Sequence, residues 1–548
     1  FPVYADQDPV ADPLTLASEG FEGSKGQAEG DADALAELDF LVKRKWLQRY
    51  ASKTQAKRAV KGRIIVSKLL VITKEKIKKE GGKVIRKLKK RLILNLKKSG
   101  VTSISVKSER PELPRVLDVV FRNLELMRRC RSLATSLRHL VLDYTHAFFN
   151  FPVRADERRY FTARVGRKIL VWFRTAQGSR GAPLICGRAL ALAMRMAAST
   201  IEEGAMTAST YVDDPLASFV GSSGQQEINM AKMVAMILAF GFDLAFSKAQ
   251  DSHKEGAVTW TSAVLTVLKH EAGLKVEVKA EILEDIRQMI DGMFVVNAVS
   301  LESLRSLAGK ATCVSSLIHV WRPFVAMLWA PLYCQRARCR FDPLKVWRKT
   351  INVPLYWMQA FLKSARGTLQ RVFTLSSYLN EGDKYAIVTD ASPLALGAYL
   401  QVNGVIKEFV HSPITNDDEK ILGDKAGGSE GQQCWEALIV LAALRFWSHH
   451  WRNRRIVLEV RGDSVTALTM LIKMKADGYT ALIAREVALD VAEALYEPQV
   501  AAHIPGASNT IADFLSRIGD GRQGLPPALS HARQRSLPER DRAWWRTL

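Results

Sequence analysis

Apolar and polar positions along the chain change period repeatedly, and each change marks an element. Residues 116–130 and 225–240 carry helical spacing, and an Ala/Leu/Met-rich stretch from Leu184 to Glu203 predicts a long helix. Residues 140–153, LVLDYTHAFFNFPV, open on a short apolar run of strand character and continue into a compact aromatic run. Apolar or β-prone residues from Thr207 to Tyr211 and from Leu216 to Val220 flank Val212-Asp213-Asp214-Pro215, which predicts a hairpin with the Asp pair at its turn. Strand character recurs at 168–174 and at 258–267 around Trp260, and packed-helix spacing runs from 300 to 335. Farther on, YAIVTDASPLALGAYL (385–400) reads as strand, small-residue turn at Ala391-Ser392, and strand. A helix from Cys434 to about Trp447 and a short strand at Ile456–Val460 follow.

The ends of the chain lack such periods. Residues 1–39 hold ten acidic residues and one lysine among Gly, Ala, Ser and Pro, so residues 1–40 read as a disordered leader. The sign then reverses: basic residues recur from Lys43 to Lys98. Over 43–80 they read as a solvated helical face. Over 91–100, RLILNLKKSG, they alternate as in a strand, with Arg91 and Lys97 on one side. After Arg517 the composition turns to Arg, Pro and Gly, which reads as a flexible basic tail.

At 548 residues the chain has room for about three or four domains. Its net charge of +23 points to a polyanionic partner, since Lys and Arg displace counterions from phosphate backbones. Nucleic-acid packaging would give the same figure, so charge names a partner class and no more. No run of about eighteen apolar residues is present to span a bilayer, which removes the membrane as an expected partner. The six cysteines form no zinc-ligand pattern with histidines and fit a reduced, intracellular compartment. The chain begins at Phe1 without a signal peptide and reads as part of something longer.

Adjacent carboxylates at a solvent-facing turn repel each other, and become useful when a divalent cation sits between them and other oxygen ligands. Asp143 ends the apolar strand of 140–143, Gln177-Gly178 through Pro183 forms a Gly-rich turn before the long helix, and Lys248 and Trp260-Thr261-Ser262 follow the hairpin. In this order, over some 170 residues, they resemble the palm of a reverse transcriptase. The closest flavour is that of gypsy-like or tyrosine-recombinase-type retrotransposons. The chemistry agrees: phosphoryl transfer uses two cations roughly 3.5–4 Å apart, one on the attacking hydroxyl and one on the leaving oxygen. Asp143 and Asp213 would bridge both, with Asp214 auxiliary. The resemblance also implies Phe148 as the ring that excludes a 2′-hydroxyl, although a plain core aromatic remains the other reading. It implies Arg91 on the incoming triphosphate, Gln177 and Gly178 on the template side, Tyr211 in the hairpin, Lys248 in the following lysine motif, and Trp260 in the primer grip. Two positions depart from the pattern: Asn95 stands where relatives commonly have Asp, and Ala182-Pro183 where retroviral relatives have Ser-Pro.

A second carboxylate series follows. Asp390 on a strand, Glu436 on a helix, Asp463 at a strand end and Asp513 at a helix start resemble the metal site of a retroelement ribonuclease H. A dense cluster of this kind suits two-metal hydrolysis of a phosphodiester. Crowding raises the proton affinity of the acids, so metal keeps them ionised at neutral pH. His503, ten residues before Asp513, matches the family's mobile histidine, which assists proton transfer or product release.

The resemblances together imply an α+β and α/β multidomain protein, a right-hand polymerase followed by a ribonuclease H-like domain. The expected division is leader 1–40, basic segment and fingers 41–135, palm 136–270, thumb and connection helices with linker 271–382, ribonuclease H-like domain 383–518, and basic flexible tail 519–548. The implied activities are RNA-directed DNA synthesis and hydrolysis of RNA in hybrids, with two Mg²⁺ or Mn²⁺ ions per site. The implied partners are RNA template, DNA primer, RNA–DNA hybrid and dNTPs, and the implied setting is a cytoplasmic particle or the nucleus. A catalytically inactive nucleic-acid-binding remnant of a transposon is the alternative, against which seven intact carboxylates stand. An RNA-dependent RNA polymerase with the same palm is disfavoured by Phe148 and by the second carboxylate series.

Overall fold

The computed structural model describes residues 27–80, 83–105, 109, 112–131, 136–365, 367–451, 456–494, 496, 500–518 and 524–547. The chain divides into two units, residues 1–261 and 262–548. The break between them falls at 261/262.

The first unit contains two sheets. α1 (Ala32–Lys43), β1 (Leu47–Tyr50), α2 (Lys53–Ala59), β2 (Val66–Glu80) and β3 (Lys83–Asn95) come first. With β5 (Thr162–Val165) and β6 (Lys168–Trp172), the strands form a five-stranded sheet ordered β1-β6-β5-β2-β3. Two expectations fail here. The helical face expected over 43–80 is helical only at α2, because from Val66 the apolar positions follow period two. Ser67 and Leu69 are buried and Val71 packs on the same core, so the chain enters a long hairpin with β3. The disordered leader expected to residue 40 also fails over 27–40, while residues 1–26 lie outside the described residues. Ala34, Leu38 and Leu41 make an apolar stripe on α1 that enters the core with Leu69, Leu94 and Trp172. The acidic residues around the stripe are matched by cations. Asp31 caps the helix through Asp33 N and Ala34 N, Lys90 Nζ lies 2.9 Å from Asp31 and from Asp33, and Arg49 meets Asp39.

The second sheet, ordered β7-β8-β4-β9, joins β4 (Arg138–Val141), β7 (Met206–Tyr211), β8 (Asp214–Phe219) and β9 (Gln250–Asp251). Its core packs Leu140, Ala217 and Phe219 against Cys186 and Leu190 of α4 (Ala182–Ala198) and Met233 and Ile237 of α5 (Ser223–Ala239). α3 (Val116–Arg129) lies beside β7, where Arg122 donates to Ser209 Oγ at 3.0 Å. Arg138 grips Asp251 through two hydrogen bonds, 2.9 and 2.5 Å, and so pins β4 to β9.

The second unit opens with β11 (Ala263–Val267) and β12 (Gly273–Val278), which pair with each other, and β12 pairs in turn with β16 (Gln370–Thr374). Between them lie the helices α6 (Ala280–Phe294), α7 (Leu301–Leu317), α8 (Arg322–Tyr333) and α9 (Asn352–Leu362). They also enclose a small sheet of β13 (Ala298–Ser300), β14 (Arg338–Cys339) and β15 (Asp342–Trp347). The rest is a six-stranded mixed sheet, ordered β21-β20-β17-β18-β19-β22. β17 (Asp383–Ala391), β18 (Ala395–Val402) and β19 (Val405–Pro413) run antiparallel, whereas β20 (Ile456–Gly462) and β21 (Val500–His503) add in parallel. α10 (Asn416–Leu422), α11 (Gln432–Trp447), α12 (Val465–Lys473), α13 (Thr480–Ala492) and α14 (Thr510–Ser516) complete it, α11 and α14 lying on β17 and β18.

The flexible tail expected over 519–548 is ordered over its described part, 524–547. β22 (Arg533–Arg535) adds to β19, Leu529 enters the core, and Arg540 is buried on Asp418 with a closest contact of 2.7 Å. Two of the arginines that give the segment its solvated look, Arg540 and Arg546, serve as partners of the buried carboxylates Asp418 and Asp490. Among the described residues, no helix is long and apolar enough to cross a membrane.

Candidate functional site

In the first unit, β7 and β8 pair in register from Met206↔Phe219 to Tyr211↔Asp214, leaving Val212 and Asp213 as the turn. Val212 has φ +56°, a left-handed conformation that a β-branched residue rarely adopts. The strained turn sits over α4: a Cβ on Gly187 would lie 3.6 Å from Val212 Cα, and the buried Cys186 thiol is pushed up to about 12, by burial first and by the charge of Asp213 second. Asp143 follows β4 by two residues. Ala245 N donates to Asp143 O at 2.8 Å and Thr145 N to Asp243 O at 2.8 Å. This pairing brings the segment 243–248 alongside, and Lys248 Nζ reaches Asp143 Oδ2 at 2.8 Å. Burial raises the proton affinity of Asp213, and the charge of Asp143 adds to it. Its backbone bond, Arg91 and Lys248 act in the opposite direction. Asp143, Asp213, Arg91 and Lys248 thus share one electrostatic neighbourhood, assembled from two sheets and a loop.

The flanking residues have distinct placements. Gly178 has φ +106°, and a Cβ there would lie 2.2 Å from Leu94 O; Leu94 N donates to Gln177 O at 2.9 Å. The Gln177-Gly178 turn is therefore laced to β3, the strand that carries Arg91. Asn95 ends that strand by accepting from Lys98 N at 3.2 Å. Phe148 is half-buried against the core of the second sheet, a placement that suits a plain core aromatic. Trp260, in β10 (Ala257–Trp260), is buried, donates from Nε1 to Asp214 O at 3.0 Å, and meets the half-exposed Tyr211 edge to face. Asp214 lies at the start of β8, one position beyond the turn residue Asp213. Among the described residues, Asp143, Asp213 and Asp214 do not gather as a tight group of three.

In the second unit three carboxylates do. One oxygen each from Asp390, Glu436 and Asp463 lie within 4.8 Å of one another. Asp390 is on β17, Glu436 on the second turn of α11, and Asp463 directly after β20. β17 and β20 run parallel in adjacent positions, so their ends deliver both aspartates to one place. Burial pushes the Asp390 carboxyl up to about 6; Asp463 and Asp513 add to that, while the Ser516 hydroxyl, 2.5 Å away, and Arg517 oppose it. Glu436 is pushed up to about 8 by burial and by the charges of Asp390 and Asp463, although Ala391 N (3.2 Å) and Gln432 Nε2 (3.0 Å) donate to it. Asp513, on α14, contributes charge to the cluster while its Oδ1 accepts from Arg517 at 2.7 Å. His503 is exposed at the end of β21 opposite Gly462, the residue before Asp463.

The sequence reading missed Gln432, Ser516 and Arg517. Their spacing carried a signal: Gln432 is one helical turn before Glu436, and Ser516 and Arg517 are three and four residues after Asp513. Three hard oxygen donors, two of them already short of solvent and high in proton affinity, fit a hard divalent cation.

No protein-family model and no curated protein matches the chain. Solved structures do. A foamy viral protease-reverse transcriptase dRH in complex with ds DNA covers 88% of this chain and 70% of its own, at 15% identity and a TM-score of 0.43. The foamy viral protease-reverse transcriptase with an RNA/DNA hybrid is similar over 87% of this chain, at 14% identity and a TM-score of 0.40. The present chain spans 55% of that structure's length. The complex of the same viral protein with dsDNA covers 88% of this chain and 83% of its own, at 13% identity and a TM-score of 0.40.

Proposed function

We propose that the chain is a retrotransposon RNA-directed DNA polymerase coupled to a ribonuclease H. The first unit would extend a DNA primer on an RNA or DNA template, and the second would hydrolyse the RNA of the resulting hybrid. The single observation that carries this reading is the second unit's carboxylate group, in which Asp390, Glu436 and Asp463 offer oxygens within 4.8 Å of one another. Such repulsion is poor for folding and suits divalent cations, Mg²⁺ or Mn²⁺, two per site. Asp390, Glu436, Asp463 and Asp513 would hold them, and when bound they would supply charge neutralisation and an activated water. Of the chain's own groups, Gln432 and Ala391 N orient Glu436, Ser516 fixes one oxygen of Asp390, and His503 would move a proton at the rim.

In the first unit, Asp143 and Asp213 would hold the polymerase cations, with Asp214 auxiliary. Arg91, whose charge already acts on Asp213, would bind the triphosphate. Phe148 would exclude a 2′-hydroxyl, and Gln177, Gly178, Tyr211 and Trp260 would position template and primer. Lys248 would leave Asp143 for a phosphate as substrate enters.

One observation favours the non-catalytic alternative: Lys248 pairs with Asp143 and Arg517 with Asp513, so two of the seven carboxylates already hold cationic side chains. Primer extension separates the readings. On a primed RNA template with Mg²⁺, the parent incorporates dNTPs in preference to rNTPs and Asp213→Asn abolishes incorporation. No incorporation by the parent sinks the polymerase reading, and equal use of rNTPs replaces it with RNA synthesis.

A further inference from the structure

Between α8 and α9 the chain makes a short excursion, residues 333–350, that neither carboxylate site uses. It carries six basic residues and a single acidic one, Asp342. Val346 is buried, but several of the segment's large apolar residues face solvent. Phe341, at the tip of the β14–β15 hairpin, is 96% exposed; Tyr333 is 80% exposed and Leu344 70%. Such exposure of large apolar groups in one short segment is uncommon without a binding role.

The segment is held firmly nonetheless. Arg338 donates to Leu332 O at 2.6 Å and to Pro343 O at 3.2 Å, tying the hairpin to the end of α8. Arg348 donates from Nε to Val296 O at 2.9 Å, and Val346, opposite Val299 of β13, is fully buried. Period two then places Lys345 and Trp347 together on the outward face of β15. Tyr333 lies nearly parallel to Trp329, with ring planes 19° apart. Arg336, Arg340 and Lys349 are exposed and have no carboxylate partner among the described residues, whereas Lys345 is paired with Asp342 at 3.1 Å. Exposed rings on a backbone tied by hydrogen bonds, flanked by unneutralised cations, match the needs of unpaired bases on a phosphate backbone: π-faces to stack on, and charge to follow the strand. A protein partner or a second copy would suit the rings and not the surplus charge.

We propose that the β14–β15 hairpin, with Phe341, Trp347 and Tyr333 as stacking rings and Arg336, Arg340 and Lys349 as phosphate contacts, is a binding surface for single-stranded nucleic acid. The proposal stands independently of either catalytic assignment.

The test is fluorescence anisotropy of the full chain with a labelled 20-mer of deoxythymidine and with a blunt duplex of equal length, across a salt series. Phe341→Ala/Trp347→Ala is expected to weaken single-strand binding about tenfold, the loss of roughly one stacked base, and to leave duplex binding within about twofold. Arg340→Ala, which removes no packing, is expected to lower the salt slope for the single strand by about 0.7. Phe341→Ala alone, at a position with almost no contacts, guards against loss of folding and is expected to weaken binding several-fold. Unchanged single-strand affinity in the double variant overturns the proposal. An equal loss for both nucleic acids also overturns it, as does unchanged affinity accompanied by loss of a dimer, which would make the hairpin a contact between copies.

Discussion

At the scale of the residue, the carboxylates of the second unit set the pH behaviour. Asp390 and Glu436 are held above their ordinary range, at about 6 and about 8, so the metal-free folded protein binds their protons more tightly than the unfolded chain does. That contribution to stability is complete below about pH 4 and is lost as pH rises through about 6 and then about 8. Thermal melts in chelator are therefore expected to show stability falling from pH 5 to pH 9. Glu436→Gln should flatten the upper part of the fall, and Mg²⁺ should raise the melting temperature of the parent more at pH 8 than at pH 6. A chelated melting temperature that is level across this range would contradict the burial of the cluster. Gly178 supplies a second residue-scale prediction. Its positive φ and the 2.2 Å approach of a Cβ to Leu94 O make Gly178→Ala costly, about 2–3 kcal/mol by chemical denaturation, with primer extension lost alongside. Asp390, Glu436, Asp463 and Asp513 were legible as candidates only as a series, in an order that resembles a ribonuclease H, since each alone is an unremarkable surface acid. Ser516 and Gln432 were not, since a hydroxyl and an amide carry no signal until the fold shows what they touch.

At the scale of the element, alternation and apolar runs placed the β7–β8 hairpin, α3, α4, α5 and α11 close to where they lie. Two segments misled because charge outweighed pattern. In β2 the many lysines of the sequence hid the period-two pattern of Ser67, Leu69 and Val71, and in α1 the acidic flanks hid the stripe of Ala34, Leu38 and Leu41. The C-terminal segment misled in the same way: Arg540 reads as solvated, yet its side chain is 2% exposed against an Asp418 side chain with none. Removing one member of such a pair leaves a buried, uncompensated charge. Arg540→Ala is expected to destabilise by about 3–5 kcal/mol, read by denaturant titration of the parent and variant, and deletion of 524–548 by more. A loss under about 1 kcal/mol for Arg540→Ala would mean that the segment is dispensable.

At the scale of the whole molecule, the surplus of +23 points to a polyanionic partner, and the two proposed carboxylate sites, one in each unit, would act on that same class of substrate. Charge was readable from composition alone. The division of the chain was less so, because the break at 261/262 falls between Trp260 and the strand of Ala263–Val267, inside a stretch that reads as continuous strand. Two sites in two units should fail independently. The most direct measurement follows primer extension and hybrid-RNA cleavage in parallel, with Mg²⁺, for the parent, Asp213→Asn and Asp390→Asn. Asp213→Asn is expected to lose extension and keep cleavage within about twofold, and Asp390→Asn to lose cleavage and keep extension. Loss of both activities in either variant, or cleavage that survives Asp390→Asn, would contradict an enzyme with two separate metal sites.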